Sequence, residues 1–138
     1  MIIEKKEKPH PISRKEKDFI VNWNVEYIKR MGRNFPKKFV EEACQFPPHR
    51  PFFNKILADD KGRIYVQKMK SILDKSKEFD FDIFGRDGVY LYKMKLPFSP
   101  DFIRNGYLFD IYSEEITGEM MIRRYKIKNW AEIKSENL

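Results

Sequence analysis

Five aspartates in the second half of the sequence have the side-chain type that could bind a metal ion or support acid–base chemistry. They are Asp59, Asp60, Asp80, Asp82 and Asp87. A calcium loop needs oxygen ligands at the ordered spacing of an EF-hand or a similar site, and these residues lack that spacing. Three of them lie in turn-forming stretches, where aspartate accepts hydrogen bonds from nearby backbone amides. The other two, Asp80 and Asp82, alternate with apolar residues as on a solvated strand face. We therefore interpret all five as structural.

The remaining side chains that could bind a metal or act as a nucleophile are two histidines and one cysteine. His10 lies in a charged N-terminal arm and His49 among prolines, and neither has the histidine or cysteine neighbour of a zinc site. Cys44 follows apolar residues at helical spacing, which favours a buried, inert thiol. Glycine-rich phosphate loops and the G-x-S-x-G motif are absent from the sequence. The sequence therefore predicts a protein that is not an enzyme and has no cofactor.

The basic residues of the first half could instead contact the phosphates of a nucleic acid. The chain of 138 residues has 28 Lys and Arg and 21 Asp and Glu, which gives a net charge of +7. Residues 1–50 hold 12 of the basic and 7 of the acidic residues, a difference of +5. The basic side chains considered are Lys5, Lys6, Lys8, Arg14, Lys15, Lys17, Lys29, Arg30, Arg33, Lys37 and Lys38. Trp23 and Tyr27 lie among them, but acidic residues interrupt the run, as on an ordinary solvated helix surface. A small basic nucleic-acid-binding protein is therefore the alternative function.

Length and composition restrict the class of protein further. One domain is the default at this length, and 41% hydrophobic with 15% aromatic residues is too apolar for a disordered chain. A single cysteine allows no intrachain disulfide bond, and no apolar run approaches the roughly 20 residues of a membrane span. The first residues lack the apolar segment of a signal peptide. These features predict a cytoplasmic protein, or an exported or periplasmic one if the sequence is the C-terminal piece of a longer chain.

Two helices are predicted in the first third of the chain. Ser13 and Glu16 have the spacing of a capping box, and Gly32 suits the position after a helix end, which predicts a helix over 13–31. Its predicted apolar face contains Phe19, Ile20, Trp23, Tyr27, Ile28 and Met31. Pro36 fits the first turn of a second helix, which must end before Pro47 because proline cannot donate a backbone hydrogen bond.

From residue 52 the apolar periodicity changes to the alternation of strands. Three turn motifs recur in this half, each with a turn-forming residue near a glycine that tolerates positive φ. The predicted structural turn residues are Asp60, Gly62, Asp87, Gly88, Asn105 and Gly106. The strands between them predict three antiparallel pairs, at 53–58 with 63–69, 78–84 with 89–96, and 107–112 with 120–127. This pattern is typical of a β-meander of up to six strands.

The predicted fold class is α+β, with two N-terminal helices packed on an antiparallel β-meander. The segments are a flexible arm at 1–12, a helical segment at 13–50, a β-sheet segment at 51–130 and a polar tail at 131–138. Trp130 and Ile133 could anchor the end of the β segment.

The turn motifs and the strands beside them resemble parts of a known repeat. The stretch 51–66 (PFFNKILADDKGRIYV) is similar to the hairpin that opens a blade in bacterial six-bladed, NHL-like β-propeller proteins. The stretch 81–91 (FDIFGRDGVYL) resembles the outer hairpin of such a blade. The stretches 103–109 (IRNGYLF) and 123–127 (RRYKI) resemble the closing blade at the C-terminus, and a helical insertion often precedes this blade. The resemblance covers about 50–130 and depends on turn chemistry and strand patterning.

The resemblance implies blade-like sheets and a binding or scaffold function. Members of this family bind ligands or proteins, or hydrolyse small esters and lactones with a metal, and none of their metal-binding or catalytic residues can be matched in this sequence. The chain has strands for only about one and a half blades. Either it is the C-terminal piece of a propeller, or it uses blade-like hairpins in a small α+β domain.

Aromatic residues of the β segment are the predicted interface. The strand at 89–96 has apolar residues on both faces, with Val89 and Leu91 on one and Tyr90 and Tyr92 on the other. The predicted interface residues are Tyr90, Tyr92, Met94, Tyr107 and Phe109. A sheet edge at 120–127 is expected to stay open, guarded by charged side chains. We expect a non-enzymatic binding or scaffold module whose β half contacts a protein partner or a second copy of the chain.

Overall fold

The computed structural model describes residues 5–132, which contain two helices and seven strands. The predicted α+β class is confirmed, because the N-terminal helices precede two antiparallel sheets. The chain divides into two compact units. The helical unit comprises residues 7–52 and 69–75, and the β unit comprises 53–68 and 76–132 with the arm residues 5–6.

Helix α1, Arg14–Arg30, begins and ends within one residue of the predicted range 13–31, and Ser13 and Met31 are its caps. Ser13 Oγ accepts a hydrogen bond from Glu16 N at 3.2 Å, and Ser13 N donates to Glu16 Oε2 at 2.8 Å. This reciprocal pair satisfies two amides that would otherwise have no partner in the first turn. At the other end Gly32 has φ +75°, a conformation that L side chains rarely adopt.

The apolar face predicted for α1 is only partly correct. Val21 is buried, and Ile20 and Ile28 are half-buried, on the side of the helix that also carries the buried Glu16. The side chains of Phe19, Trp23, Tyr27 and Met31 are exposed. The helical unit therefore buries one stripe of α1 and leaves an aromatic stripe in solvent.

Helix α2, Lys37–Ala43, is short and begins one residue later than predicted. Pro36 has φ −57° and ψ 139°, so it precedes the helix as its N-cap and does not belong to the first turn. Cys44 is the C-cap residue and is half-buried, with Asn24 Nδ2 3.6 Å from its sulfur. Val40 is the buried residue of this helix.

The N-terminal arm is tied to the connector that follows α2. Arg50 N donates to His10 O at 2.8 Å, and Ile12 N donates to Pro48 O at 3.3 Å. Pro11 and His49 form an isolated antiparallel bridge between these two bonds. Both histidines of the sequence therefore lie in a backbone pairing of proline-rich segments.

The first sheet of the β unit is a four-stranded meander in the order β1-β2-β3-β4. Its strands are β1, Phe53–Ala58; β2, Ile64–Lys68; β3, Phe79–Phe84; and β4, Tyr90–Leu96. Each strand pairs with the next one along the chain. Short turns join β1 to β2 and β3 to β4, whereas β2 and β3 are connected by residues 69–78.

The second sheet has three strands in the order β5-β6-β7. They are β5, Phe102–Arg104; β6, Tyr107–Ser113; and β7, Met120–Lys126. The sequence predicted up to six strands and missed β5, because three residues between Pro100 and the Asn105-Gly106 turn are too few to show alternation. Strand β7 is exposed at every residue.

The two sheets share one hydrophobic core. Tyr65, Phe81 and Ile83 of the first sheet are buried together with Ile103 and Leu108 of the second. Half-buried apolar side chains pack against this cluster, including Tyr92, Met94 and Trp130. Trp130 therefore anchors the chain after β7, as predicted, whereas Ile133 lies outside the described residues.

A bulge in β3 and β4 separates two residues that the sequence placed on one face. Ile83 pairs with Tyr92, and the next residue, Phe84, pairs with Tyr90, so one residue is skipped between them. Neighbouring residues of a strand point to opposite faces, so Tyr90 lies with Phe84 on the face away from the core. The rings of Phe84 and Tyr90 meet edge to face at 5.7 Å. The prediction that Tyr90 and Tyr92 share a face is therefore wrong.

Candidate functional site

The predicted turn residues shape the hairpins of the β unit. Gly62, Gly88 and Gly106 have φ of +77°, +86° and +78°, and Asn105 has φ +49°. Type I′ turns need positive φ at both central positions, which explains the Asn105-Gly106 pair. Two aspartates, Asp60 and Asp87, also lie in these turns.

Each of these aspartates accepts a backbone hydrogen bond. Asp87 Oδ1 accepts from Val89 N at 3.0 Å within its own turn. Asp60 Oδ1 accepts from Asn105 N at 2.9 Å, which joins the first turn to the turn between β5 and β6. Both carboxylates therefore hold the backbone of a turn in place.

Asp59 does more than the turn role that the sequence indicated. Its Oδ1 accepts from the amides of Lys61 and Arg63, at 2.9 and 3.0 Å, as a turn aspartate does. Its Oδ2 accepts from Arg63 Nε at 2.7 Å and from Tyr65 OH at 2.9 Å. The side chains of Asp59 and Arg63 are fully buried. A buried ion pair of this kind is tolerated only when further hydrogen bonds satisfy both charges.

This buried network links two segments of the β unit. Burial, together with the negative charge of Asp59, raises the pKa of Tyr65, so its hydroxyl remains a donor. The guanidinium carbon of Arg63 lies 4.3 Å from the centre of the Trp130 ring. The network therefore joins the first hairpin to the segment after β7.

Asp82 is buried, so the prediction that it lies on a solvated face is wrong. Its Oδ2 lies 2.6 Å from Lys5 Nζ and 3.7 Å from Lys68 Nζ. Burial lowers the pKa of Lys68, and the charge of Asp82 opposes this shift. Lys5 also lies over the ring of Tyr90, at 4.8 Å from its centre. Asp80, in contrast, is exposed.

Within residues 5–132, no group of three or more His, Cys, Asp or Glu side chains is placed to hold a metal ion. Nor is any helix in this range long and apolar enough to cross a membrane.

Four of the five predicted interface residues fall into two groups, and the fifth, Tyr90, lies on the other face of the first sheet, under Lys5. Tyr92 and Met94 are half-buried and pack against the core. Tyr107 and Phe109 lie on the outer face of the second sheet, because the residue between them, Leu108, belongs to the core.

The outer face of the second sheet carries more apolar residues than the sequence analysis singled out. The ring of Phe109 stacks on that of Phe102 at 4.4 Å, and Ile111 lies opposite Ile122 of β7. We call this surface the open face, and it consists of Phe102, Tyr107, Phe109, Ile111, Met120 and Ile122. Met120 and Ile122 are 69% and 67% exposed, which leaves the end of the face next to β7 in solvent. The alternation along 107–112 and 120–127 could have identified these residues.

Strand β7 is also the edge of its sheet. No further strand among the described residues pairs with its outer side. Glu114 N donates to Glu119 O and Ile127 N donates to Gly106 O, each at 2.8 Å, at the two ends of the β6–β7 ladder. Hydrogen-bonded and non-bonded pairs alternate along such a ladder. The amides that this register turns away from β6 are those of Met120, Ile122, Arg124 and Lys126.

The opposite face of β7 holds the strand to the β unit. Arg123 Nη2 donates to Asp110 Oδ2 at 2.6 Å, and its guanidinium carbon lies 3.8 Å from the centre of the Tyr112 ring. Tyr125 stacks on Phe98 at 4.3 Å. Strand β7 is therefore held to the β unit through the side chains of one face. Its outer edge presents a row of backbone donors and acceptors.

No protein-family model, no curated protein and no solved structure matches the chain.

Proposed function

We propose that this protein is a non-enzymatic binding or scaffold module whose β unit takes up a polypeptide strand at the outer edge of β7. The observation that carries the proposal is that every residue of this edge strand is exposed, beside the open face. Added strands gain affinity from main-chain hydrogen bonds and specificity from side chains on alternate positions.

The strand order supports a blade-like architecture. A four-stranded antiparallel meander, followed by a three-stranded one that shares its core, corresponds to one propeller blade and most of a second. The second sheet has one strand fewer than such a blade, and its β7 edge is where a fourth strand would add. The proposed strand uptake would complete that sheet.

A second copy of the chain is the first candidate for the partner. Like charges directly opposite each other destabilise a strand pair, and β7 contains Arg123 and Arg124. An antiparallel pair of two β7 strands centred on Ile122 avoids this, because it places each arginine opposite a methionine of the other copy. This register also uses outward amides, since Ile122 and Arg124 both point to the edge. A strand from a different protein is the alternative partner.

Light scattering over a concentration series tests the proposal. We expect the mass of the wild-type protein to rise from one chain towards two as the concentration increases. Ile122→Pro removes an outward amide without removing a bond to β6, and edge strands tolerate proline at such positions. It should abolish the increase, whereas the control Ile122→Val, which keeps the amide and most of the apolar surface, should preserve it.

Two results would contradict the proposal. A species that stays monomeric at every concentration and binds no hydrophobic dye would show that the chain covers its own apolar surface. Equal association of Ile122→Pro and Ile122→Val would show that another surface, not the β7 edge, makes the contact. A monomer that binds the dye would indicate that the added strand comes from a different protein.

A further inference from the structure

The helical unit carries a second exposed surface, which is both aromatic and basic. We call it the basic aromatic surface, and it consists of Trp23, Tyr27, Met31, Arg33, Phe35 and Phe39. Trp23 is 58% exposed and Phe39 is 57% exposed. Aromatic side chains bury large apolar areas in cores and interfaces, so a cluster of them in solvent indicates a binding surface.

The aromatic rings are arranged in two stacked pairs. Trp23 and Tyr27, one turn apart on α1, are 5.4 Å between centres with an interplanar angle of 7°. Phe35 and Phe39 are 5.3 Å apart with an angle of 25°. In each pair the two rings stack on each other and hold each other in place, and part of their surface stays exposed. Fixed rings lose little conformational entropy when a flat ligand stacks on them.

A pocket lies between the two pairs. Its volume is about 440 Å³, and it is lined by Tyr27, Ile28, Met31, Arg33 and Phe35. Pockets that hold small molecules begin at a few hundred Å³. The pocket is therefore large enough to accept a planar heterocycle, with the cationic Arg33 at its wall.

The charge around this surface is mostly positive. The segment 27–40 contains five basic residues and no acidic one. Lys29 lies 2.9 Å from Glu26 and Lys38 lies 4.0 Å from Glu42, so these two cations have carboxylate neighbours. Arg30, Arg33 and Lys37 are exposed, and none of them forms an ion pair with another described residue.

Helix electrostatics explains only part of this charge. Lys29 and Arg30 are in the last turn of α1, where the helix dipole favours cations. Arg33 follows the helix, and Lys37 and Lys38 begin α2, where the dipole disfavours cations. The helix dipoles therefore do not account for the positive charge of the loop and of the start of α2.

We infer that the basic aromatic surface binds single-stranded nucleic acid. Unpaired bases would stack on the exposed rings and enter the pocket, and Arg30, Arg33 and Lys37 would contact the phosphates. Stacking on aromatic side chains combined with a basic groove is the general mode of single-strand binding. An uncharged protein surface would cover the rings but would leave the positive charge unbalanced. This site is independent of the proposed strand uptake, because it belongs to the helical unit.

Fluorescence measurements on the full-length protein test the stacking. We expect a labelled oligothymidine of about 12 nucleotides, within the usual site size of such proteins, to quench tryptophan emission on binding. Trp23→Phe should abolish most of the quenching while preserving binding. Trp23→Ala should weaken binding about tenfold, the fold-change that corresponds to the loss of one stacked base. Circular dichroism should show that both variants remain folded, since Trp23 is mostly exposed.

Salt dependence and a matched pair of charge reversals test the phosphate contacts. Three contacts predict that log K falls with log salt with a slope of about −2 for a single strand. Arg33→Glu should weaken binding more than tenfold. Lys77→Glu changes the net charge equally on an exposed residue of the β unit and should weaken it less than twofold. A duplex of the same sequence should bind more weakly, because its bases are already stacked.

Three results would overturn the inference. One is the absence of any oligonucleotide binding at low salt. Another is an equal loss of affinity in Arg33→Glu and Lys77→Glu, which would indicate only a general attraction to positive charge. The third is a quenching signal that survives in Trp23→Phe, since this would place the nucleic acid near Trp130 in the β unit.

Discussion

Trp130 packs directly on the backbone of Gly106. A Cβ atom built on Gly106 would lie 2.9 Å from Cγ of Trp130, closer than side chains approach each other. Gly106 also has φ +78°, and its carbonyl oxygen accepts the hydrogen bond from Ile127 N. One glycine therefore allows the turn between β5 and β6 to meet the segment that follows β7.

This contact predicts the cost of adding a methyl group at Gly106. Gly106→Ala should lower the free energy of unfolding by about 2 kcal/mol, because it combines backbone strain with a steric clash. Gly118 also has positive φ, +72°, but has no heavy atom within 4 Å of a built Cβ. Gly118→Ala is therefore the matched control and should cost about 1 kcal/mol. Urea denaturation measures both, and equal losses would show that the Trp130 contact contributes nothing.

The buried network around Asp59 gives a second prediction. Asp59→Asn keeps the shape of the side chain but removes the negative charge that pairs with the buried guanidinium of Arg63. Unfolding free energy should fall by about 3 kcal/mol, the usual effect of breaking a buried ion pair. Asp87 is an exposed turn aspartate, so Asp87→Asn should lower the free energy of unfolding by less than about 1 kcal/mol. A small effect at both positions would contradict a structural role for the network.

Acid stability should depend on Glu16. Hydrogen bonds from the Ser71 hydroxyl and then from the Ser13 amide lower the pKa of this buried carboxyl below 4.5. A lowered folded-state pKa means that the stabilisation is present above the unfolded-state value and is lost as the pH falls through the folded-state value. The free energy of unfolding should therefore decrease below about pH 4.5.

Two glutamine variants distinguish the contribution of the Glu16 charge from the general effect of acid on stability. Glu16→Gln should be less stable than the wild type at pH 7, and the difference should shrink as the pH is lowered towards 2. Glu115 is exposed, and Glu115→Gln should leave the pH profile of the wild type unchanged. A difference between Glu16→Gln and the wild type that stays constant across this range would refute the role given to the Glu16 charge.

Local signals in the sequence were sufficient for part of this structure. Ser13, Glu16 and Gly32 fix the ends of α1 because capping depends on residues only a few positions apart. The turns at Gly62, Gly88 and Asn105-Gly106 follow from the same kind of short-range chemistry. The pairing of β1 with β2 and of β3 with β4 then follows from the short turns between them, whereas the pairing of β2 with β3 spans the longer connection at 69–78.

Long-range contacts explain what sequence reasoning missed. The buried side of α1 is set partly by Ser71, which binds Glu16 from 55 positions away. Asp82 is buried because Lys5 and Lys68 supply counter-charges from distant segments. A bulge moves Tyr90 to the opposite face from Tyr92, and single-residue irregularities leave no mark on an alternating pattern. The exposure of Trp23 and Ile122 likewise depends on what other segments fail to cover.

Amide hydrogen exchange along β7 tests the central claim most directly, because it compares neighbouring residues of one strand. In dilute protein the outward amides of Ile122 and Arg124 should exchange rapidly, whereas those of Arg123 and Tyr125, which bond to β6, should be protected. Raising the protein concentration should protect Ile122 and Arg124 as a second strand is taken up. Protection of Ile122 and Arg124 already in dilute monomer, or their rapid exchange at every concentration, would contradict strand addition between copies at this edge.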